Sequence, residues 1–214
     1  MNLIDRAAAL AGIGAVGLIF YFEEHNVLGP VDPTAPTSEI AENIAAGRVS
    51  GRLGAQLAMI GVFLVIVFSS RLYTALLTAA GRDSWLPITA LAGGILLGGI
   101  VLLQIGFTFA ATELDAYGDD IQIARMFALW GWNAATMYAP PLALLVASGT
   151  AVALTAESFP EWFRWASTLL LLAMLAIVAL GAPGFATGAG FLWMILASLL
   201  LAIRPPAGAG QTAT

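Results

Sequence analysis

Polar side chains recur every three or four residues within three otherwise apolar stretches of the chain. Residues four apart lie on the same face of a helix, so each set predicts a polar stripe. The stripes are Arg48, Arg52 and Gln56; Gln104, Thr108 and Thr112; and Trp130, Asn133 and Met137, with Thr136 and Tyr138 close by. Unpaired polar groups are costly in lipid, so these side chains should face one another or water. Such stripes either hold helices together, at about 0.6 kcal/mol per contact, or line a binding site, and the spacing leaves both open.

We predict a binding pocket, because contacts that only hold helices together rarely need a charged arginine and aromatic residues as well. Arg52 would meet an anionic or strongly polar head group, while the aromatic side chains hold the apolar part of the ligand. Arg52 should point into the bundle, within reach of a carboxylate or a bound polar group, and the nearest carboxylates by topology are Glu113 and Asp115. The predicted ligand-binding residues are Arg52, Gln56, Gln104, Thr108, Trp130, Asn133 and Tyr138.

The rest of the sequence offers little catalytic or metal-binding chemistry. It has no Cys, which excludes thiolate catalysis, Cys-based metal sites and Fe–S clusters. Glu23-Glu24-His25, together with Glu113 and Asp115, offers an undemanding ligand set for a divalent cation. Acidic loops are more often solvated, so we predict no metal. No cofactor is predicted, and because the sequence shows no Ser/His/Asp grouping and only one histidine, a membrane enzyme is the third and least favoured function. None of the predicted membrane spans contains a carboxylate, so the sequence offers no candidate for a proton relay.

The composition of the chain predicts an integral membrane protein. Of its 214 residues, 60% are hydrophobic and 10% are charged, whereas globular domains carry about a quarter charged residues. Too few polar side chains remain to cover a water-soluble surface. The formal net charge of −5 argues against nucleic acid as a partner, because nucleic-acid binding needs a basic surface.

Six apolar stretches are long enough to cross a hydrocarbon core of about 30 Å as helices. They are residues 4–22, 53–70, 86–111, 127–154, 165–182 and 186–203. Bulky aromatic residues at the end of the first stretch argue against a cleaved signal peptide. With six spans, both termini lie on the same side of the membrane, and five of the eight arginines lie on that side. Cytoplasmic loops carry an excess of Lys and Arg. Both termini are therefore predicted to be cytoplasmic, in a bundle of six transmembrane helices in the inner cell membrane.

Prolines and capping residues predict local features of this all-α bundle. Three prolines preclude a helix early in the first outer loop. A short interfacial helix follows, from Thr37 or Ser38 through Gly47, and leads into a second span that continues to about Ala80. Pro140-Pro141 removes two adjacent amide donors and predicts a kink or break in the fourth span. Residues 1–206 are predicted to form one transmembrane domain, and residues 207–214 a flexible tail.

Pairs of glycines predict close contacts between helices. Gly12-Ile-Gly14-Ala-Val-Gly17 matches the dinucleotide-binding pattern G-x-G-x-x-G, but no strand precedes it and it lies within a span. We therefore interpret these glycines as helix-packing positions. The same interpretation applies to two further pairs, Gly94-x-x-x-Gly98 and Gly184-x-x-x-Gly188, either within the chain or between subunits.

Three features of the sequence are shared with a wider group of membrane proteins. They are the entry into the first span, Arg6-Ala-Ala-Ala-Leu-Ala-Gly12, the proline-bearing loop before the second span, and the close from Trp193 through Leu201 to Arg204-Pro205. In these features the chain resembles uncharacterised bacterial six-span integral membrane proteins of about this length. The resemblance implies a helical bundle and no activity, and it carries over no site residue.

Two functions from different classes follow from these observations. The first is a protein that binds or transports a small amphipathic or lipid-like molecule in an outward-facing intramembrane pocket. The alternative is a structural or accessory subunit of a larger membrane complex, in which the stripes and glycine pairs are protein–protein contacts. The predicted partners are membrane lipids and the amphipathic ligand, together with either further copies of the chain or a larger membrane complex.

Overall fold

The computed structural model describes residues 2–26, 36–113 and 136–203, and the isolated helical residues 123, 126, 127, 130 and 133. Within these ranges the chain is all-α, with six helices. They are α1 (Leu3–His25), α2 (Thr37–Ala80), α3 (Leu86–Thr112), α4 (Ala139–Thr155), α5 (Glu161–Ala179) and α6 (Pro183–Ile203). The predictions that concern Pro30, Pro33, Asp115 and the C-terminal tail fall outside the described residues.

Five of these helices are long and apolar enough to cross a membrane. They are α1, α2 from Glu42 onward, α3, α5 and α6. The remaining helix, α4, is apolar but has only 17 residues. An all-α chain with several such helices is typical of a membrane protein, as the composition predicts.

Five helices form a ring and the sixth lies outside it. Around the ring, α1 packs against α2, α2 against α3, α3 against α4, α4 against α6, and α6 against α1. Helix α5 packs on α4 and α6 from outside, and its buried residues are Phe163, Ser167 and Met174. A buried hydrogen bond of 2.9 Å from Trp193 Nε1 to Ser167 Oγ attaches α5 to α6. Helices α1 and α3 end at one end of the bundle, and α2 and α6 begin there. We call it the His25 end.

Close approach of helices explains several of the glycines. A Cβ added at Gly94 would lie 1.9 Å from Ser69 Oγ, so α2 and α3 can approach this closely only because Gly94 has no side chain. A Cβ at Gly12 would lie 2.2 Å from Ser198 Oγ on α6. The helix-packing interpretation is therefore confirmed at Gly12 and Gly94. No described atom lies within 4 Å of a Cβ added at Gly17 or Gly188.

Helix α2 is continuous over 44 residues, or about 66 Å at 1.5 Å per residue. The residues predicted to form a separate interfacial helix are its first turns, because no proline interrupts Thr37–Ala80 and the glycines at 47, 51 and 54 are accommodated within the helix. The N-cap is Pro36 without a side-chain capping bond, in place of the predicted Thr37 or Ser38. The predicted continuation to Ala80 is confirmed, and the helix ends where Gly81 adopts a φ of 85°.

The proline pair lies at the beginning of a helix. Residues 136 and 137 are helical, a turn at Tyr138 follows, and α4 begins at Ala139. The first amides of a helix have no intrahelical acceptor, so Pro140 and Pro141 forfeit no hydrogen bond there. The helix resumes with a bond of 3.1 Å from Leu142 N to Tyr138 O. The predicted irregularity is thus confirmed, and it places Tyr138 at the junction.

Candidate functional site

A polar layer crosses the apolar interior at the His25 end of the bundle. Its members are Glu23, Asn26, Gln104, Thr108 and Tyr138. They come from the end of α1, from the last third of α3 and from the turn before α4. All are buried except Glu23, which is partly buried. Burying polar side chains in an apolar interior costs free energy unless they are paired, so their convergence calls for an explanation.

The centre of the polar layer is a ring of three side chains. The Tyr138 hydroxyl lies 2.7 Å from Glu23 Oε1 and also contacts Gln104 Oε1. The amide of Gln104 closes the ring, because its Nε2 donates to Glu23 Oε2 at 3.3 Å. The Tyr138 ring is held edge-on by Phe191 of α6, with ring centroids 6.2 Å apart. Each member of the ring therefore contacts the other two.

A second buried contact extends the layer along the same two helices. The hydroxyl of Thr108 lies 3.1 Å from Asn26 Oδ1 and 3.1 Å from the carbonyl oxygen of Gln104, one turn earlier in α3. Asn26 is the residue that caps the C-terminus of α1. The pair therefore fixes the end of α1 against α3, beside the ring.

Above the polar layer lies a charged group that we call the Arg52 rim, formed by Arg52, Thr112 and Glu113. Arg52 Nε donates to Thr112 Oγ1 at 3.2 Å, and its guanidinium contacts the Glu113 carboxylate. The expected contact between Arg52 and a carboxylate is thus confirmed. The two charged side chains are 40% and 56% exposed, so the rim lies at the surface of the bundle and the polar layer beneath it.

The structure brings only some of the predicted ligand-binding residues together. Gln104, Thr108 and Tyr138 meet in the polar layer, and Arg52 lies in the rim. Gln56 is exposed, in an outer stripe of α2 with Leu53 and Ile60. Gln56 therefore lies outside both the polar layer and the Arg52 rim.

Trp130 and Asn133 belong to the segment of which only isolated residues are described. Trp130 is 41% exposed and stacks on Phe107 of α3, with ring centroids 5.3 Å apart. Asn133 is exposed, and its carbonyl oxygen accepts a bond of 2.6 Å from Thr136 Oγ1. These contacts, with Phe107 and Thr136, lie outside the polar layer.

The analysis of spacing missed two members of the polar layer, Glu23 and Asn26. A first span that ends at residue 22 leaves Glu23 outside, whereas α1 continues to His25 and carries that carboxylate into the bundle. The helix therefore carries a carboxylate past the end of the predicted first span and against the interior of the bundle, a position that the spacing did not indicate. The signal was present in the buried stripe of α1, because Glu23 follows the buried Ile19 by four residues and Asn26 follows the buried Phe22 by four.

The candidate metal ligands of the His25 end, Glu23, Glu24 and His25, do not converge on one point. His25 Nδ1 lies 2.9 Å from the carbonyl oxygen of Tyr21, and the two rings stack at 4.1 Å. Glu23 turns into the polar layer, and Glu24 is exposed. Within the described part of the chain, no three His, Cys, Asp or Glu residues are grouped so as to hold a metal ion.

Comparison of the chain with protein-family models, curated proteins and solved structures finds no match. Any function must therefore be inferred from the geometry of the polar layer and the Arg52 rim.

Proposed function

We propose that the protein binds or transports a small amphipathic or lipid-like molecule at the His25 end of a six-span bundle. The observation that carries this proposal is the polar layer beneath the Arg52 rim. Ionisable and polar side chains inside a membrane bundle are rare, and they generally mark binding sites or pathways. Here a carboxylate, two amides and two hydroxyls from three segments meet at one level.

The orientation proposed for this bundle places the His25 end outside the cytoplasm. Arg6, Arg71 and Arg82 lie at the opposite end, and Arg48 and Arg52 at the His25 end. The excess of arginine on cytoplasmic sides supports cytoplasmic termini in the inner membrane. The sixth span would consist of α4 with the helical residues that precede it, and the first turns of α2 would lie at the outer membrane surface.

The chemistry of the rim favours a ligand with an anionic or strongly polar head. The Arg52 guanidinium is bound by Glu113 and stays 40% exposed. An incoming carboxylate or phosphate could take the place of Glu113, because guanidinium groups bind both through paired hydrogen bonds. The stacked rings of Phe107 and Trp130 provide an apolar surface for the rest of the molecule.

Mass spectrometry of the extracted wild-type protein tests this proposal. We expect one small amphipathic species in stoichiometric amount, beyond the mixture of bulk lipids. A preparation that carries only bulk lipids would contradict the proposal, and so would one whose only stoichiometric companions are polypeptides.

The alternative function is a structural or accessory subunit of a larger membrane complex. It is favoured by the hydrogen bonds within the polar layer, because each ring member already has partners in the chain. Polar groups that serve only to join helices are satisfied in the same way. Stoichiometric polypeptides in the extract would favour this alternative.

A further inference from the structure

The contacts within the ring of Glu23, Gln104 and Tyr138 constrain the number of protons that it holds. Each of the three contacts joins two electronegative atoms: Tyr138 Oη to Glu23 Oε1, Tyr138 Oη to Gln104 Oε1, and Gln104 Nε2 to Glu23 Oε2. A contact of this kind is a hydrogen bond only when a proton lies between the two atoms. Three simultaneous hydrogen bonds therefore need three protons.

Two of these protons come from the neutral side chains. The Gln104 amide directs one N–H at Glu23, and its oxygen can only accept. The Tyr138 hydroxyl has a single proton, which makes a full hydrogen bond to Glu23 or to Gln104, or a weaker three-centre bond to both. Rotating the Gln104 amide by half a turn exchanges its donor and acceptor but leaves the count at one. Within the ring, the carboxyl group of Glu23 is the group that can supply a third proton.

We infer that Glu23 is a proton-binding site, and that its protonated carboxyl closes a cyclic set of three hydrogen bonds. Glu23 donates to Tyr138, Tyr138 donates to Gln104, and Gln104 donates to Glu23. Removal of the proton leaves two acceptor oxygens competing for the Tyr138 hydroxyl, so one contact must open. A buried set of hydrogen bonds that is complete in only one protonation state is a two-state element.

The groups around Glu23 are compatible with a neutral carboxyl. Its contacts are with the uncharged side chains of Tyr138 and Gln104. Helix α6 contributes no titratable residue, and from α4 the only such neighbour is Tyr138, in the preceding turn. Among the residues that the structure describes at this end, the other charged or titratable ones are Tyr21, Glu24 and His25 on α1, Arg48 and Arg52 on α2, and Glu113 at the end of α3.

Glu23 is partly buried, so its proton can exchange with water at the His25 end. Opening of the ring would release Tyr138 or Gln104 toward the Arg52 rim. Under the proposed function, ligand binding would be coupled to proton binding at Glu23. Only this coupling rests on the proposed function.

Infrared spectroscopy of the purified full-length protein detects such a proton directly. We expect a carboxylic-acid C=O band at neutral pH that shifts in D₂O, disappears completely in Glu23→Gln and persists in Glu24→Gln, the adjacent exposed control. Tyr138→Phe should shift this band, because the Glu23 proton loses its acceptor. Raising the pH until the band disappears should lower the melting temperature of the wild type but leave that of Glu23→Gln unchanged, since the introduced amide donates permanently.

A wild-type spectrum without the band, or one identical to that of Glu23→Gln in this region, would overturn the inference. A band that Tyr138→Phe leaves unchanged would also overturn it. The measurement needs no bound ligand. A protein that shows the band but carries no stoichiometric amphipathic molecule would therefore contradict only the proposed function.

Discussion

At the scale of single residues, the least expected feature is a carboxylate and an amide at the end of α1 that turn into the bundle. Glu23 and Asn26 continue the buried stripe of that helix, where the preceding members are apolar. Gln104 and Thr108 could be predicted from their spacing, because α3 is a regular helix with one buried face. The hydrogen-bond partners of Gln104 and Thr108 could not be predicted from the sequence, because these contacts depend on where three separate segments end.

Removal of the Tyr138 hydroxyl should destabilise the protein. Tyr138→Phe removes the hydrogen-bond partner of both Glu23 and Gln104, and leaving buried polar groups without a partner costs about 1–3 kcal/mol. We expect a clear fall in the thermal unfolding temperature of the detergent-purified protein. The matched control is Tyr73→Phe in α2, which should change it little. Equal effects of the two substitutions would mean that the ring contributes no stability.

Arg52→Gln should have a smaller effect on stability than on ligand retention. The side chain is 40% exposed, and exposed ion pairs contribute only about 0.2–1 kcal/mol. Thermal unfolding should detect this loss, and a double-mutant cycle with Glu113→Gln should show coupling between the two residues. Arg48→Gln should do much less to both stability and retention. Equal and negligible effects of Arg52→Gln and Arg48→Gln would remove the support that the rim gives to a ligand site.

At the scale of helices, glycine and proline decide how the polar side chains are positioned. The proline pair begins α4 directly after Tyr138, so the tyrosine lies at a junction between helical segments. The sequence predicted an irregularity here because the missing amide donors are a local property. The predicted interfacial helix is continuous with α2, because the glycines at 47, 51 and 54 do not interrupt the helix, and the interfacial position of its first turns stays a prediction.

A methyl group at Gly94 should disrupt the contact between α2 and α3. The added Cβ would lie 1.9 Å from Ser69 Oγ and 2.5 Å from Ser69 Cβ, so the helices must separate. Gly94→Ala should therefore cost about 1–3 kcal/mol. Gly99→Ala is the control on the same helix, because no atom lies within 4 Å of its added Cβ. If chemical denaturation finds Gly94→Ala as stable as Gly99→Ala, the close packing at this position is contradicted.

At the scale of the whole molecule, composition and hydropathy alone predicted an all-α membrane protein. Five predicted spans correspond to helices of sufficient length, because a bilayer demands about 20 apolar residues in each. The external position of α5 could not be predicted, since lipid-facing and protein-facing apolar residues look alike in sequence. Orientation depends on a modest arginine excess and stays a prediction.

The absence of cysteine allows this orientation to be tested without background labelling. Single cysteines at the exposed positions Ser38 and Asp83 lie at opposite ends of α2 and the loop after it. In intact cells, a membrane-impermeant maleimide should label Ser38→Cys and should reach Asp83→Cys only after permeabilisation. The reverse pattern would place the Arg52 rim on the cytoplasmic side.

The central claim, a specific amphipathic ligand at the His25 end, is tested most directly by photocrosslinking. Benzoylphenylalanine would replace Phe107, which stacks on Trp130 and precedes Thr108 of the polar layer by one residue. In a matched control it would replace Phe63, which is 64% exposed on α2. After irradiation in membranes, the intact mass should show one discrete small adduct at position 107 and a mixture of bulk lipids at position 63. The same lipid mixture at both positions, or a polypeptide adduct at 107, would contradict the account.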